Sequence, residues 1–589
     1  MDRLDSLSAK IQYYETHKAR YACATHPRFH LAAALYYRLE GARRENCAPI
    51  YDTVLRELAD NKVSLCADDK DFANLVGVVG YEGASRWGDA IRLYESIDAQ
   101  HRPNDEFFYL CAMHSYRQKK RYGAALEIHE KNAWTQPNVE QLFRLSGAYL
   151  GVGEASTAMA LAKRENDIAQ PWIATHDPTM SLREIRLHHE AVAARRFPVV
   201  AKVHPRPSAK DADRPLRVGF VTGDYGCTVV FPFARSAIDP ALHKGFELFL
   251  YNTQVVDECT QTFDKHGTRR DVPGVPDDRL AQMIAADKID VAIDLAGCTN
   301  HSGLGALARK PAPLQITGIG YPDTTGLAAV DCRFADWVSD HKNDDNYTER
   351  LLRFDRGRSF LCYTPESSEY ALPVPPLAQR DFAVLGLFNN PRKLSDPLLT
   401  DVLRLMEALP KSRLALKYNS DWRDPANQRR FLARFSGLNK AVGLRDLASR
   451  VDFHGRLPTE YAHRTFMAQT ADVAVDTYPV CGTYTTIECL WMGLPVVTRT
   501  VPGLHAANVS NSILTHIDLS QWVTHDSKAF VDTVVKLARD RQQLQHWRTG
   551  MALRRELLSS PLCDRAGYAE NFWRLVRQAW RDLCSQGRP

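Results

Sequence analysis

From Leu216 onward, short β-branched apolar runs alternate with helical stretches, and this alternation constrains the fold more than any other feature. The first series is LRVGFVT, FELFLY, DVAIDLAG and LQITGIG. The second follows the Pro-rich LPVPPLAQRD and reads FAVLGLFNN, SRLALKY, VDFHG, DVAVDTY and PVVTRT. A strand that is apolar along its length is buried on both faces, as in parallel sheets covered by helices. The two series predict two Rossmann-like α/β domains, at 216–375 and 376–560, facing each other across a cleft. In open sheets of this kind ligands meet the carboxyl ends of the strands, so residues just after each run are candidates for chemistry. The last segment, 561–589, contains YAENFWRLVRQAWRDL, an amphipathic helix free to pack on either domain.

Residues 1–197 show no convincing strand. YEGASRWGDAIRLYES, YRQKKRYGAALEIHEK and YLGVGEASTAMALAKR begin at Tyr81, Tyr116 and Tyr149, so their spacings are 35 and 33. Ala90, Ala125 and Ala158 stand at matching offsets, where a second helix must cross closely. A period of about 34 with these features is the tetratricopeptide pattern, clearest over 72–165. Such an array is either a concave surface for a peptide or a plain helical scaffold. Before Tyr81 the period is lost, and irregular or capping helices are expected. PVVAKVHPRPSAKDADRP, 198–215, is Pro-rich and charged and reads as a linker.

A chain of 589 residues is too long for one core and predicts three or four domains. Its formal net charge of +5 is a small imbalance, compatible with an anionic ligand and uninformative about nucleic acid. No run of about 18 apolar residues appears, so no membrane span is expected. The start MDRLDSLSAKIQYYETHKAR lacks the apolar stretch of a secretory signal. The 13 cysteines are scattered, with Cys227, Cys259, Cys298 and Cys481 each standing alone. That pattern suits the reduced thiols of a soluble cytoplasmic protein better than a disulfide framework or a zinc site.

Three stretches carry chemistry. In DVAVDTYPVCGTYTTIECLWMG a strand ends near Asp476, and a loop leads into a helix near Thr485 or Thr486. Free N–H groups at a helix start, with the hydroxyls of Thr483, Tyr484, Thr485 and Thr486, suit a phosphate; a Thr cap is the plainer reading. Glu488 is placed to accept hydrogen bonds from vicinal hydroxyls such as a ribose. In FAVLGLFNNPRKLSDP, Asn389, Asn390, Arg392 and Lys393 follow a strand, either as cations for a diphosphate or as a solvated turn. In RKPAPLQITGIGYPDTTG, Gly320 and Gly326 permit close backbone approach to a ligand.

These stretches, with PGLHAANVSNSIL and SSPL (559–562), occur in an order and spacing that resembles the O-GlcNAc transferase family, including its SPINDLY-type enzymes. The likeness covers about residues 216–575 and, more loosely, the repeats at 70–165. It implies a GT-B fold, two Rossmann-like domains with a cleft, preceded by an all-α tetratricopeptide-like domain. It also implies a UDP-sugar-dependent glycosyltransferase. By resemblance, Lys393 contacts the nucleotide diphosphate, with Asn390 and Asn389 beside it. Tyr484 and Thr485 align with a phosphate-binding hydroxyl pair, Tyr484 replacing a threonine, and Thr483 and Thr486 flank them. Glu488 aligns with the ribose-binding acid, and Arg456, Leu457 and Pro458 fall in the uracil-reading loop. His463 or Arg464 stands near a uracil-stacking histidine. His505 fits the bacterial form of a later H-x-S-R-V segment, whose arginine is here Asn508. Gly320, Tyr321, Pro322 and Thr324 are expected near the sugar and acceptor.

One departure stands out. Family members carry an aspartate and then a His-Pro pair after the first catalytic strand; LRVGFVTGDYGCTVVFPF has Thr228 and Val229 at the pair's position. Asp224 is retained, and Asp257 matches an acid proposed to assist proton transfer. The chemistry then dispenses with the histidine, or the acceptor differs, or activity is lost. The reaction implied is inverting transfer of GlcNAc or another hexose from a UDP-sugar to a protein Ser/Thr. Lys393 and the helix start at Thr485 would stabilise the leaving phosphate without a metal. DAD at 211–213 and NDD at 343–345 read as solvated turns. Rival readings are an asparagine N-glucosyltransferase, a saccharide-directed enzyme of the same fold, and a non-catalytic nucleotide-binding adaptor. The partners expected are the UDP-sugar and a protein or peptide acceptor, with the repeats serving that acceptor or a second subunit. Nucleic acid and membrane are not expected.

Overall fold

The computed structural model describes residues 77–585 apart from 103–105, 133–138, 165–170, 198–206, 239–244, 342–343, 364, 366–375, 377–378 and 419–421. The helices expected within 1–76 and the first part of the expected linker, 198–206, lie outside the described residues.

One compact unit takes the described part of residues 1–152 together with 420–433. Helices Trp87–Ser96, Glu106–Gln118, Tyr122–Asn132 and Val139–Gly151 follow one another through short turns. Ala90 and Ala125 are fully buried, and Tyr81 and Tyr116 are buried as well. A side chain larger than alanine at those crossings would hold the helices apart. The segment 420–433 joins this array: the Arg121 guanidinium pairs with Asp424, and the Gly123 N–H donates to Asn427 Oδ1 at 2.6 Å.

The second unit, 153–419 with 434–589, contains two parallel sheets. The first sheet has β1 (Leu216–Thr222), β2 (Phe246–Asn252), β3 (Thr268–Asp271), β4 (Val291–Asp294), β5 (Leu314–Thr317), β6 (Cys332–Ala335) and β7 (Arg350–Arg353). Its strand order is β3-β2-β1-β4-β5-β6-β7. The second has β8 (Val384–Leu387), β9 (Arg413–Lys417), β10 (Val451–His454), β11 (Val473–Val475), β12 (Val496–Arg499) and β13 (Val523–Thr524), ordered β10-β9-β8-β11-β12-β13. Strands β4, β5, β8 and β11 are buried at every position, which explains their apolar runs. In each sheet the strand succession reverses once, between β1 and β4 and between β8 and β11. Loops leaving such a switch point diverge to opposite faces and open a crevice for a ligand.

The C-terminal helix Arg565–Ser585, whose partner the sequence left open, packs on the first sheet. The Phe572 ring lies 4.5 Å from Phe334, and Trp573 lies 4.5 Å from Phe246 and donates to the Ala237 carbonyl at 3.0 Å. Burying the Phe572 ring contributes about 2 kcal/mol. No helix among the described residues is long and apolar enough to cross a membrane.

One expectation is overturned. Cys227 and Cys259 do not stand alone but form a disulfide. They are 32 residues apart, yet β1 and β2 are parallel neighbours, so the loops following them emerge side by side at the carboxyl end of the sheet. Scatter along the chain says nothing about pairing across parallel strands.

Candidate active site

The crevice of the second sheet is built from the loops after β8 and β11. Asp476, just past β11, is buried and organises both: it accepts from Asn389 Nδ2 at 3.2 Å, from the Gly482 N–H at 2.7 Å and from Thr498 Oγ1 at 2.8 Å. Asn390 caps the short turn Pro391–Lys393, accepting from the Arg392 N–H, and its Nδ2 lies 3.4 Å from the Tyr418 hydroxyl. That turn directs the Lys393 ammonium to the Cys481 carbonyl at 2.6 Å, beside the start of helix Tyr484–Trp491. Burial pushes the Lys393 pKa down, against the pull of Cys481 and Asp476.

The helix start lacks the side-chain cap of the plainer reading. Thr483 occupies the N-cap position, but its side chain makes no capping hydrogen bond. Thr483 and Thr485 are half-buried, and the leading N–H groups carry the positive end of the helix dipole. Thr486 is placed differently: its hydroxyl is buried against Ser510 at 2.9 Å.

Next to this start lies a polar cluster between helices Glu460–Thr470 and Tyr484–Trp491. Arg464 donates to Glu488 Oε1 at 3.0 Å and to the Tyr484 hydroxyl at 2.6 Å. Burial pushes the Glu488 carboxyl up to about 7 despite that guanidinium. His463 Nδ1 faces the Lys417 ammonium, and its Nε2 lies 3.9 Å from Glu488 Oε2. Burial, Lys417 and Arg464 hold His463 down to about 3, so it is a neutral ring. Lys417 is itself lowered to about 8 by burial. Tyr484, without a counterpart in the family pattern, sets its ring 6.3 Å from both Phe233 and Tyr363. It thus forms a wall shared by the two sheet halves. Arg456 is exposed and Leu457 half-buried in the loop after β10.

The crevice of the first sheet is acidic. Asp224, two residues past β1, accepts from Thr228 Oγ1 at 3.1 Å and Thr222 Oγ1 at 3.3 Å. Burial pushes its carboxyl up. Asp294 closes the neighbouring β4, fully buried, accepting from Thr317 Oγ1 at 2.6 Å and from the Gly297 N–H at 2.9 Å. Its pKa is raised to about 6 by burial, with Asp224 adding to the rise. Asp257 is differently used: it caps the turn Glu258–Gln261 and accepts from the Cys227 N–H at 2.8 Å and the Thr260 N–H at 2.9 Å. Burial works to raise its pKa, but those donors outweigh it and the net shift is downward.

Other expected site residues are drawn into the scaffold. His505 is buried with Nδ1 at 2.5 Å from Asp340 Oδ2 and its ring 4.9 Å from Phe360, contacts that join the two halves. Tyr321 is buried with its hydroxyl 2.7 Å from His189 Nε2, and Thr324 donates to Glu349 at 2.6 Å. Gly320 and Gly326 are needed by the protein's own packing. A Cβ on Gly320 would sit 2.2 Å from the Leu295 carbonyl oxygen, and Gly326, at φ +67°, abuts the His189 backbone. Pro322 remains half-buried. The DAD and NDD segments are engaged elsewhere, Asp213 with Arg581 and Asp344 with Arg353.

Sequence reasoning missed several contributors. Asp476, Asp294 and Lys417 are single residues without a motif. Helix Trp172–His176 also reaches the donor turn: the Arg392 guanidinium lies 4.1 Å from the Trp172 ring centre, and Thr175 donates to Asp323 at 2.8 Å. Their only sequence signal is position at a strand end or near the helical boundary.

The family model described as glycosyl transferase family 41 matches residues 177–361 and 377–572. The chain belongs to this family. A tomato (Solanum lycopersicum) relative, described as a probable UDP-N-acetylglucosamine–peptide N-acetylglucosaminyltransferase SPINDLY, is 33% identical over 389 residues, 65% of this chain and 40% of its own. The Arabidopsis thaliana protein of that description is 32% identical over 394 residues, covering 65% and 42%. The chain therefore spans about 40% of the length of these curated relatives. Among solved structures, a mutant O-GlcNAc transferase of Thermobaculum terrenum matches with a TM-score of 0.72 at 23% identity, covering 95% of this chain and 99% of that one. Its likeness and the two switch-point sheets give this chain the GT-B fold.

Proposed function

We propose that this chain transfers a sugar, with N-acetylglucosamine the default, from a UDP-sugar to a Ser/Thr hydroxyl of a protein, with inversion and without a metal. One observation carries the proposal: the Lys393 ammonium lies 2.6 Å from the Cys481 carbonyl, beside a helix start whose threonine does not cap it. A lysine, free helix N–H groups and unused hydroxyls at a switch point form a preorganised site for a diphosphate. As the glycosidic bond breaks, negative charge grows on the β-phosphate, and these groups stabilise it where it develops. That is the work a divalent cation otherwise does. Glu488 receives the ribose hydroxyls. The relatives' descriptions as N-acetylglucosaminyltransferases support the choice of sugar and of a peptide acceptor.

The acceptor hydroxyl must lose a proton as it attacks. Asp224 is the better base of the two candidates, because burial raises its pKa while Asp257 is stabilised as a carboxylate by backbone N–H groups. Thr228, at the family's histidine position, donates to Asp224 and orients it; a hydroxyl does not take the proton itself at neutral pH. The helical array of the other unit is the candidate recruiter of the protein acceptor. The test is intact-mass analysis of Ser/Thr-containing and Asn-containing acceptor proteins incubated with a panel of UDP-sugars in EDTA. The expected result is one added N-acetylhexosamine mass on a Ser/Thr acceptor. Addition to asparagine only, or transfer that EDTA abolishes, would overturn the corresponding part of the proposal.

A further inference from the structure

The disulfide between Cys227 and Cys259 is the feature that the proposed reaction does not use. Cys227 is exposed and lies one residue from Thr228, whose hydroxyl donates to Asp224; Cys259 is half-buried and lies two residues from Asp257. The loops after β1 and β2 meet here through the disulfide and through the Cys227 N–H to Asp257 bond at 2.8 Å. Gly226 fits closely below them, since a Cβ there would lie 2.9 Å from Asp257 Oδ2.

The sheet has a core of its own beside this bond. Staples compensate for small cores, whereas β1 and β2 belong to a seven-stranded sheet whose interior is filled by Phe220, Leu250 and Tyr251, all fully buried. The bond is not hidden. Among the described cysteines Cys227 is exposed, Cys259, Cys298 and Cys563 are half-buried and the other six are buried, so a thiol in solution meets the Cys227 sulfur first. A reachable disulfide across two loops that carry the acceptor-side acids is in the position of a control, not of a staple.

We infer that Cys227 and Cys259 form a thiol–disulfide exchange site that holds the acceptor-side loops in register when oxidised and releases them when reduced. Its effect on turnover rests on the proposed role of Asp224; its effect on the loops does not. The chemistry balances with a dithiol reductant. One thiolate of the reductant attacks the Cys227 sulfur, the Cys227–Cys259 bond breaks, and Cys259 leaves as a thiolate that takes up a proton. The reductant's second thiolate then displaces Cys227 from the mixed disulfide. The reductant ends as its own disulfide, and the protein gains two electrons and two protons. With the covalent tie gone, the two loops are joined by hydrogen bonds such as that of Asp257 alone, and the backbone at Cys227, next to Thr228, is freer to move relative to Asp224.

The test uses the full chain, air-oxidised or treated with dithiothreitol in metal-free buffer. Native alkylation followed by intact mass and peptide mapping should add two groups on reduction, at Cys227 and Cys259. Hydrogen exchange in 223–230 and 253–262 should quicken about tenfold, while exchange around 482–491 stays unchanged. Transfer should change at least fivefold in kcat/KM and recover on reoxidation, with UDP affinity unaltered. The double variant Cys227→Ser, Cys259→Ser should behave as the reduced form and ignore dithiothreitol; if it fails to fold, the wild type with and without reductant still decides. Alkylation of both cysteines without reductant, or identical loop exchange in the two forms, overturns the inference. If no donor and acceptor pair is ever turned over, the transferase reading falls, and the exchange measurement still decides the redox site.

Discussion

The two sheets share one strand order over six strands and place different chemistry at the same topological point. Past β8 and β11 the second sheet presents Lys393, a helix start and spare hydroxyls; past β1 and β4 the first presents Asp224 and Asp294. The topology supplies the crevice, and a few side chains at strand ends decide what it holds. A cationic crevice suits the anion that leaves, and an acidic crevice with raised pKa values suits the proton that must be removed.

The largest break in this contrast is Lys393→Ala. It should lower kcat/KM by about 10³ and weaken UDP binding, because the cation serves both ground state and leaving group. Near-normal turnover in that variant would remove the lysine from its assigned role. Asp224→Asn should lower kcat by about 10² while UDP affinity stays within twofold, the signature of a lost base on the other side of the cleft. Loss of UDP affinity in Asp224→Asn would mean that the two crevices are not divided in function.

A third probe uses pH. Glu488 ionises near pH 7 in the folded chain, against an ordinary 4.5. Above pH 7 it is a carboxylate with both oxygens able to accept; below, the proton occupies one of them. UDP affinity should therefore fall by up to about tenfold from pH 8 to pH 6, and the fall should be smaller in Glu488→Gln, where Lys417 and the UDP phosphate still titrate in this range. The sign for stability is separate. Between about pH 4.5 and 7 the folded state holds a proton that the unfolded state has lost, so this group makes folding less favourable as pH rises through that window. The smallest effect is Gly153→Ala. Gly153 has φ +87°, and a Cβ would lie 2.7 Å from the Pro391 carbonyl oxygen, so the substitution should cost about 1–3 kcal/mol and raise the donor KM a few-fold. An unchanged Tm would show that the backbone accommodates it.

The apolar runs revealed both sheets because doubly covered parallel strands leave an unmistakable composition. Lys393, Thr485 and Glu488 could be singled out because each lies on the loop or helix that follows a strand's carboxyl end. Asp294 and Asp476 were not, since a single aspartate closing a strand looks like any polar stop; only the register shows Asp294 beside Val221 and Asp476 between two loops. The disulfide was hidden for a similar reason, as neighbouring parallel strands are joined by long crossovers. His505, Tyr321 and Thr324 have partners that the sequence did not suggest. Their residue types suit a ligand, but Asp340, His189 and Glu349, all distant in sequence, claim them. Tyr484 became intelligible only with Phe233 and Tyr363 around it.

The division of labour is tested most directly by titrating UDP calorimetrically into the wild-type chain, Lys393→Ala and Asp224→Asn. Binding by the wild type, at least tenfold weaker binding by Lys393→Ala, and wild-type binding by Asp224→Asn is the predicted pattern. Equal affinity in all three, or a loss confined to Asp224→Asn, would contradict a donor site in the second sheet's crevice.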